Sequence, residues 1–161
     1  MDARAPPVLR RRVPVWIRVL FYACVGVTGE VVFTALAARV GLGLTADVGA
    51  DAEARRSWRL RGHSFLWMLP IYGLGLLGFE RVHDALRTAP WVWRGLVYVA
   101  ALYGVEHASG AVLERLTGER VWRWTGPGAA RHVHLAMAPV WFALAFLLEP
   151  LHDVLVGGCA R

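Results

Sequence analysis

Four long apolar stretches limit what this chain can fold into. They occupy residues 19–38, 64–79, 95–113 and 133–148, and apolar side chains occur all round each stretch rather than along one stripe. A helix that crosses a membrane needs about 20 largely apolar residues, and a helix that is apolar all round is typical of a buried or membrane-spanning segment. The hydrophobic content of 57% exceeds the usual share in soluble domains. The sequence therefore predicts membrane helices, with a soluble four-helix bundle as the alternative.

These stretches predict an all-α fold, namely an integral membrane four-helix bundle. We expect one membrane domain over residues 1–161, which begins with a basic tail at residues 1–14. The predicted spans are about 15–38, 64–84, 91–113 and 132–155.

The chain also shows an internal repeat. A shift of 69 residues pairs His63 with His132, Met68 with Met137, Pro70 with Pro139, Tyr72 with Trp141, Glu80 with Glu149, His83 with His152 and Asp84 with Asp153. A shift of 76 residues pairs Leu20 with Leu96, Tyr22 with Tyr98 and Glu30 with Glu106. We therefore expect two tandem two-helix repeats in parallel orientation, related by a pseudo-twofold axis along the membrane normal.

Each predicted span carries an aromatic residue and, eight positions later, a glutamate: Tyr22 and Glu30, Tyr72 and Glu80, Tyr98 and Glu106, Trp141 and Glu149. A charged group at the centre of a membrane helix costs about 2.5–3.5 kcal/mol, so it normally faces the bundle interior. Eight residues of helix rise about 12 Å, and neighbouring helices run in opposite directions. Each glutamate should therefore lie level with aromatic hydrogen-bond donors of a neighbouring helix. The expected layers are Glu30 and Glu106 with Tyr72 and Trp141, and Glu80 and Glu149 with Tyr22 and Tyr98.

Such a polar interior supports three functions. In the first, the interior binds or passes a small cation or a proton. In the second, the layers only specify helix packing in a structural or scaffolding membrane subunit. The third is a metal-dependent membrane enzyme that acts on lipid, but the chain has no Ser-His-Asp or Cys-His arrangement, phosphate loop or dinucleotide fingerprint. The sequence therefore favours a non-enzymatic role. His107 follows Glu106 directly, and we expect it to be a buried partner of a carboxylate or a carbonyl group.

Two Glu-x-x-His pairs match the spacing that ferritin-like bundles use to hold metal: Glu80 with His83 and Glu149 with His152. Such a site needs all its ligands within a few ångströms, but the two glutamate layers are expected about 10 Å apart. Both histidines also fall at helix ends near the membrane surface, where we expect them to be solvated. A second candidate set lies near one interface and consists of His63, His132 and His134. This second set is the better metal alternative, but the sequence favours solvated histidines over either set, and we expect no metal and no other cofactor.

Several motifs occur in a recognisable order: a Gly-Glu in the first span, Arg61–Trp67 leading into Pro70–Gly73, Glu80-Arg81, Tyr103–Glu106 with Gly110, and Val121–Thr125. This order resembles the transmembrane protein 229 family, and it is similar to bacterial proteins designated type IV ABC-transporter (CmpB-like) components. The resemblance covers about residues 18–150. It implies a four-span integral membrane protein in which all four glutamates have counterparts, whereas His83 and His152 do not. The chain departs from the family at Arg123-Trp124, where Asp-Tyr is usual.

The loop before the fourth span contains Trp122, Arg123 and Trp124. We expect an interfacial aromatic belt with a snorkelling arginine. The alternative is a loop that binds lipid headgroups or gates a substrate.

Charge indicates the partners and the location. All 18 basic residues are arginine, which is typical of a GC-rich bacterial genome. No basic face is interleaved with aromatic residues, so nucleic acid is not an expected partner. The expected partner is the lipid bilayer. We also expect a homodimer or a larger membrane assembly. We expect a multi-pass protein of the bacterial plasma membrane, with a cytoplasmic N-terminus because Arg10–Arg12 adjoin the first span.

Overall fold

The computed structural model describes residues 13–42 and 58–156, and these form an all-helical bundle. The elements are α1 (Val15–Val40), α2 (Met68–Leu86), α3 (Trp91–Thr117), a 3-10 helix (Leu135–Met137) and α4 (Ala138–Val156). An isolated bridge between Ala129 and His134 is the one extended pairing in this part of the chain. The predicted all-α class is confirmed. Most of the basic tail, including Arg10–Arg12, lies outside the described residues.

Local sequence signals set the ends of the two longest helices. Pro14 and Pro90 precede α1 and α3, and their carbonyl groups accept the first helical hydrogen bonds, from the amides of Arg18 and Arg94, each at 3.1 Å. Both helices then end at a glycine in the left-handed conformation, Gly41 at φ 72° and Gly118 at φ 76°. Glycine adopts this conformation without a steric penalty, and its amide can bond to carbonyl groups at the helix end.

Three helical segments are long and apolar enough to cross a membrane: Val15–Val40, Trp91–Thr117 and Leu135–Val156. The predicted span at 64–84 is not among them, and its helix α2 carries Glu80, Arg81 and Asp84 within 19 residues. Two of the helices begin later than the predicted spans. Residues 64–67 precede α2, and residues 132–134 precede the 3-10 helix.

The helices pack as two antiparallel pairs. The first pair is α1 with α2, the second is α3 with α4, and α2 also contacts α3. One core cluster joins all four helices through Tyr22, Leu76, Phe79, Tyr98, Ala145 and Leu148. The antiparallel order brings the C-terminal ends of α2 and α4 to the same end of the bundle, where His83 and His152 meet with ring centroids 5.1 Å apart.

Apolar side chains cover the outside of this bundle. Leu74 on α2 is 63% exposed, and Leu147 and Val154 on α4 are 69% and 73% exposed. In contrast, Glu80, His83 and His152 are buried. Membrane proteins distribute polarity in this way, since lipid tails solvate apolar residues and ionisable groups must find partners inside.

The segment between α3 and the 3-10 helix folds back onto the bundle. The indole N–H groups of Trp122 and Trp124 both donate to the carbonyl oxygen of His132, each at 3.0 Å. Trp122 is buried and Trp124 is half-buried, whereas Arg123 is exposed. Both indole N–H groups are therefore satisfied within the protein, and the interfacial aromatic belt stays a prediction.

Candidate functional site

Polar side chains of the interior gather in two places. The first is a histidine–carboxylate cluster at the C-terminal ends of α2 and α4, formed by Glu80, His83, Asp84, Glu149, His152 and Asp153. The second comprises Glu30 and Glu106, which line an otherwise mostly apolar cavity beside the N-terminal halves of the same helices.

Glu80 is held by two residues of α1. The Tyr22 hydroxyl donates to Oε1 of Glu80 at 2.8 Å, and a guanidinium nitrogen of Arg18 lies 3.1 Å from its Oε2. Tyr22 is the partner predicted from the eight-residue spacing and the opposite directions of neighbouring helices. Both carboxylate oxygens are thereby paired, which a buried charge requires.

Glu149 has an equivalent environment on the second helix pair. The Tyr98 hydroxyl donates to Oε1 of Glu149 at 2.9 Å, as the same spacing predicts. Arg94 binds the same carboxylate through two hydrogen bonds of 3.0 Å. Two-point contacts of this kind are among the stronger and more directional ion pairs.

His83 and His152 lie between these two carboxylates. His83 Nδ1 is 2.9 Å from the Tyr98 hydroxyl, and His152 Nε2 is 3.2 Å from Oδ1 of Asp84. The two side chains are about 5% and 1% exposed, so the expectation that they are solvated is wrong. The helix ends shield each other, a tertiary effect that a single helix end does not reveal.

Charged groups at the rim complete the cluster. The guanidinium of Arg87, just after α2, bonds to both Asp84 and Asp153. Hydrogen bonding to Asp153 raises the pKa of this guanidinium. His83, His152 and Asp153 each offer a ligand atom, and these atoms lie within 4.8 Å of one another. The described part of the chain contains no other such group of three or more metal-ligating side chains.

The cavity has a volume of about 350 Å³ and is mostly apolar. Its aromatic wall consists of Phe33, Phe65, Tyr72, Trp122, Trp124 and Trp141. A volume of this size is within the range of small-molecule sites, which are typically apolar with a few polar groups. Of the two glutamates in the wall, Glu30 accepts a hydrogen bond from the hydroxyl of Ser64, and Tyr72 lies beside it.

Glu106 is less well satisfied. Its Oε2 is buried without a hydrogen bond to any residue of 13–42 or 58–156, and the same holds for Nε1 of Trp141. The indoles of Trp124 and Trp141 lie beside the carboxylate. In contrast to Glu80 and Glu149, neither cavity glutamate has an arginine within ion-pair distance in the described chain.

The three histidines of the second candidate metal set are not brought to one centre. His63 lines the cavity, and His132 Nε2 lies 3.3 Å from Oε2 of Glu114. Both ring nitrogens of His134 bond to the backbone, at Thr125 and Ala136. His134 therefore has no free nitrogen for a metal.

His107 does not have the expected buried environment. Its side chain is exposed, and its ring centroid lies 5.2 Å from that of His132. The prediction that it partners a buried carboxylate or carbonyl was wrong, because residue 107 lies on the outer side of α3 while Glu106 turns inward.

Sequence reasoning missed Arg18 and Arg94 as partners of the buried glutamates. Each arginine lies four residues before the tyrosine that binds the same carboxylate, and the two arginines are 76 residues apart. Residues four apart share a helix face. The repeat and this spacing together carried a signal that would have identified both.

The fold and the two polar sites define a class: an all-helical protein, three of whose helical segments are long and apolar enough to cross a membrane. No protein-family model, curated protein or solved structure matches the chain. The resemblance to the transmembrane protein 229 family therefore stays a prediction.

Proposed function

We propose that this is an integral membrane protein whose cavity binds an organic cation with an apolar body. One observation carries the proposal. Two half-buried glutamates, Glu30 and Glu106, line the cavity, and the carboxylate of Glu106 has a buried oxygen without a hydrogen-bond partner in the described chain.

The contrast between the two pairs of glutamates supports a positively charged ligand. Glu80 and Glu149 are each neutralised by an arginine, at Arg18 and Arg94. No arginine lines the cavity among residues 13–42 and 58–156, so a carboxylate there is best stabilised by a proton or a bound cation.

The composition of the cavity walls indicates that the cation carries an apolar group. Aromatic rings attract a cation over their faces, by about 0.5–2 kcal/mol depending on desolvation. Tyr72, Trp124 and Trp141 lie beside the two carboxylates and also line the cavity. A hydrated metal ion gains no free energy from contact with the aliphatic part of the wall, whereas an alkyl or aryl group is stabilised by burial against it.

A matched pair of probes tests this function. Benzyltrimethylammonium and its uncharged isostere neopentylbenzene have nearly the same shape, so calorimetry on detergent-solubilised protein isolates the contribution of charge. We expect the cation to bind at least about tenfold more tightly than the isostere, a difference of about 1.4 kcal/mol.

Glu106→Gln should remove that preference while the protein stays folded by circular dichroism. Glu114→Gln is the matched control, because Glu114 lies on the same helix, pairs with Arg131 and does not line the cavity. Equal binding of cation and isostere by the wild type would contradict the proposal. Loss of folding in Glu106→Gln, without a binding preference in the wild type, would favour the structural or scaffolding role.

The proposed architecture comprises four spans in two tandem repeats of parallel orientation. Matching contacts support the repeats: Arg18 and Tyr22 hold Glu80 as Arg94 and Tyr98 hold Glu149. The proposed location is a bacterial plasma membrane, with the N-terminus in the cytoplasm and with a homodimer or larger assembly as the working form. Cysteine-accessibility mapping of the loops tests the number and direction of the spans.

A further inference from the structure

We propose that His83, His152 and Asp153 bind one divalent transition-metal ion of the zinc class. This site lies in the histidine–carboxylate cluster, at the end of the bundle away from the cavity, and does not depend on the proposed cation binding.

The distances suit a metal centre. The three ligand atoms lie within 4.8 Å of one another, and His83 Nε2 is 3.6 Å from Oδ1 of Asp153. Bond lengths of about 2.0–2.2 Å place the ligand atoms of a tetrahedral zinc site about 3.3 Å apart. Small side-chain rotations therefore close the site around an ion, and solvent takes the fourth position.

Each histidine is oriented through one ring nitrogen and has the other nitrogen unused. The oriented atoms are His83 Nδ1, beside the Tyr98 hydroxyl, and His152 Nε2, beside Asp84. The unused atoms, His83 Nε2 and His152 Nδ1, are buried and have no hydrogen-bond partner within the described residues. Metal-ligating histidines characteristically have their second nitrogen fixed by a carboxylate or another polar group. Nitrogen atoms buried without a partner are costly unless something binds them.

The charge of the cluster also favours a cation. Four carboxylates, at Glu80, Asp84, Glu149 and Asp153, face three guanidinium groups, at Arg18, Arg87 and Arg94. With both histidines neutral, four negative and three positive charges leave one negative charge.

An entry route exists on the rim. The side chain of Asp84 is 52% exposed and that of Arg87 is 38% exposed, so the cluster opens towards solvent at this end. Arg87 already bonds to Asp153, so an incoming metal must compete with it for that carboxylate.

Zinc calorimetry and cobalt absorption spectroscopy test the site, on protein purified without a histidine tag. We expect one ion per chain, with the visible absorption of tetrahedral cobalt. His83→Gln and His152→Gln should each abolish both signals. His107→Gln is the matched control, because His107 is exposed on α3 away from the cluster, and it should bind as the wild type does.

Two rim variants distinguish a metal site from an ionic network that only stabilises packing. Asp84→Asn should weaken zinc binding by about 10–100-fold, as loss of an orienting partner does. Arg87→Gln should tighten zinc binding, because the competing guanidinium is gone. A packing network predicts lower stability for both variants and no stoichiometric metal.

Absence of a bound ion, or binding that survives both histidine substitutions, would overturn the proposal. If a histidine variant fails to fold, the opposite changes in zinc affinity expected for Asp84→Asn and Arg87→Gln decide the question. Glu106→Gln should leave zinc binding unchanged, so failure of the cavity function and failure of the metal site are separable.

Discussion

The hydroxyl of Tyr22 donates a hydrogen bond of 2.8 Å to Oε1 of Glu80, and both side chains are buried between α1 and α2. This contact connects residues 58 positions apart and ties the first helix to the histidine–carboxylate cluster. Tyr98 makes the corresponding contact to Glu149, and its hydroxyl also lies 2.9 Å from His83 Nδ1.

The two tyrosines should therefore differ in what they contribute to stability. Tyr22→Phe leaves one carboxylate oxygen without its donor, and loss of such a buried partner costs about 1–3 kcal/mol. Tyr98→Phe removes contacts to both Glu149 and His83, so we expect the larger loss. Reversible unfolding by sodium dodecyl sulfate in mixed micelles measures both. Equal losses would mean that the second contact of Tyr98 does not stabilise the fold.

Close packing of α3 against α4 gives a second prediction. A Cβ atom on Gly95 would clash with the ring of Phe142, whereas one on Gly104 of the same helix meets nothing within 4 Å. Gly95→Ala should cost about 1–3 kcal/mol through overpacking. Gly104→Ala should be neutral or stabilise by about 0.5–1 kcal/mol, because alanine favours the helix. Thermal unfolding in one detergent compares the two, and a harmless Gly95→Ala would show that the helices are not packed this closely.

The contacts that could be predicted from the sequence are those that depend on helix depth alone. The spacing of eight residues between each aromatic residue and its glutamate, combined with antiparallel neighbouring helices, predicts Tyr22 beside Glu80 and Tyr98 beside Glu149, and both contacts are present. Helix starts were predicted less well, since residues 64–67 and 132–134 fall within predicted spans but precede the helices. Apolar composition does not determine backbone conformation.

Two features that the sequence did not predict depend on tertiary contacts at helix ends and loops. A histidine at a single helix end is normally solvated, but His83 and His152 shield each other because α2 and α4 end side by side. The hydrogen bonds from the Trp122 and Trp124 indoles to the His132 carbonyl were likewise not predicted. No spacing within one segment encodes such contacts.

Acidic pH should destabilise the loop around His132. Burial lowers the pKa of this imidazole from its ordinary value of 6.5, although Glu114 lies 3.3 Å away. A lowered pKa means that the unfolded chain binds the proton more readily than the folded one. The stabilisation is therefore fully present above about pH 6.5 and is lost as the pH falls through the lower value of the folded state.

His132→Gln removes the titrating group, so it provides the comparison. Melting temperatures of the wild type and the variant, measured between about pH 5 and 8, should converge towards the acidic end. The loop is also reported by the fluorescence of Trp122 and Trp124. A constant difference between the two proteins across this range would contradict the predicted titration.

The ion pair between Arg94 and Glu149 gives the last prediction, which rests on burial. Their side chains are 20% and 15% exposed, so each charge is largely removed from water. Arg94→Met leaves the carboxylate uncompensated, and the loss should approach but stay below the about 3–5 kcal/mol of a fully buried pair. The double variant Arg94→Met with Glu149→Gln removes both charges and should recover part of that loss, giving a coupling free energy of about 0.5–3 kcal/mol in a double-mutant cycle. Arg131 and Glu114 form the control pair, because the Arg131 side chain is 63% exposed and solvent already screens it. If both cycles gave the same coupling, burial would not be what makes the interior pair matter, and the arginines would not explain why Glu80 and Glu149 differ from the two glutamates of the cavity.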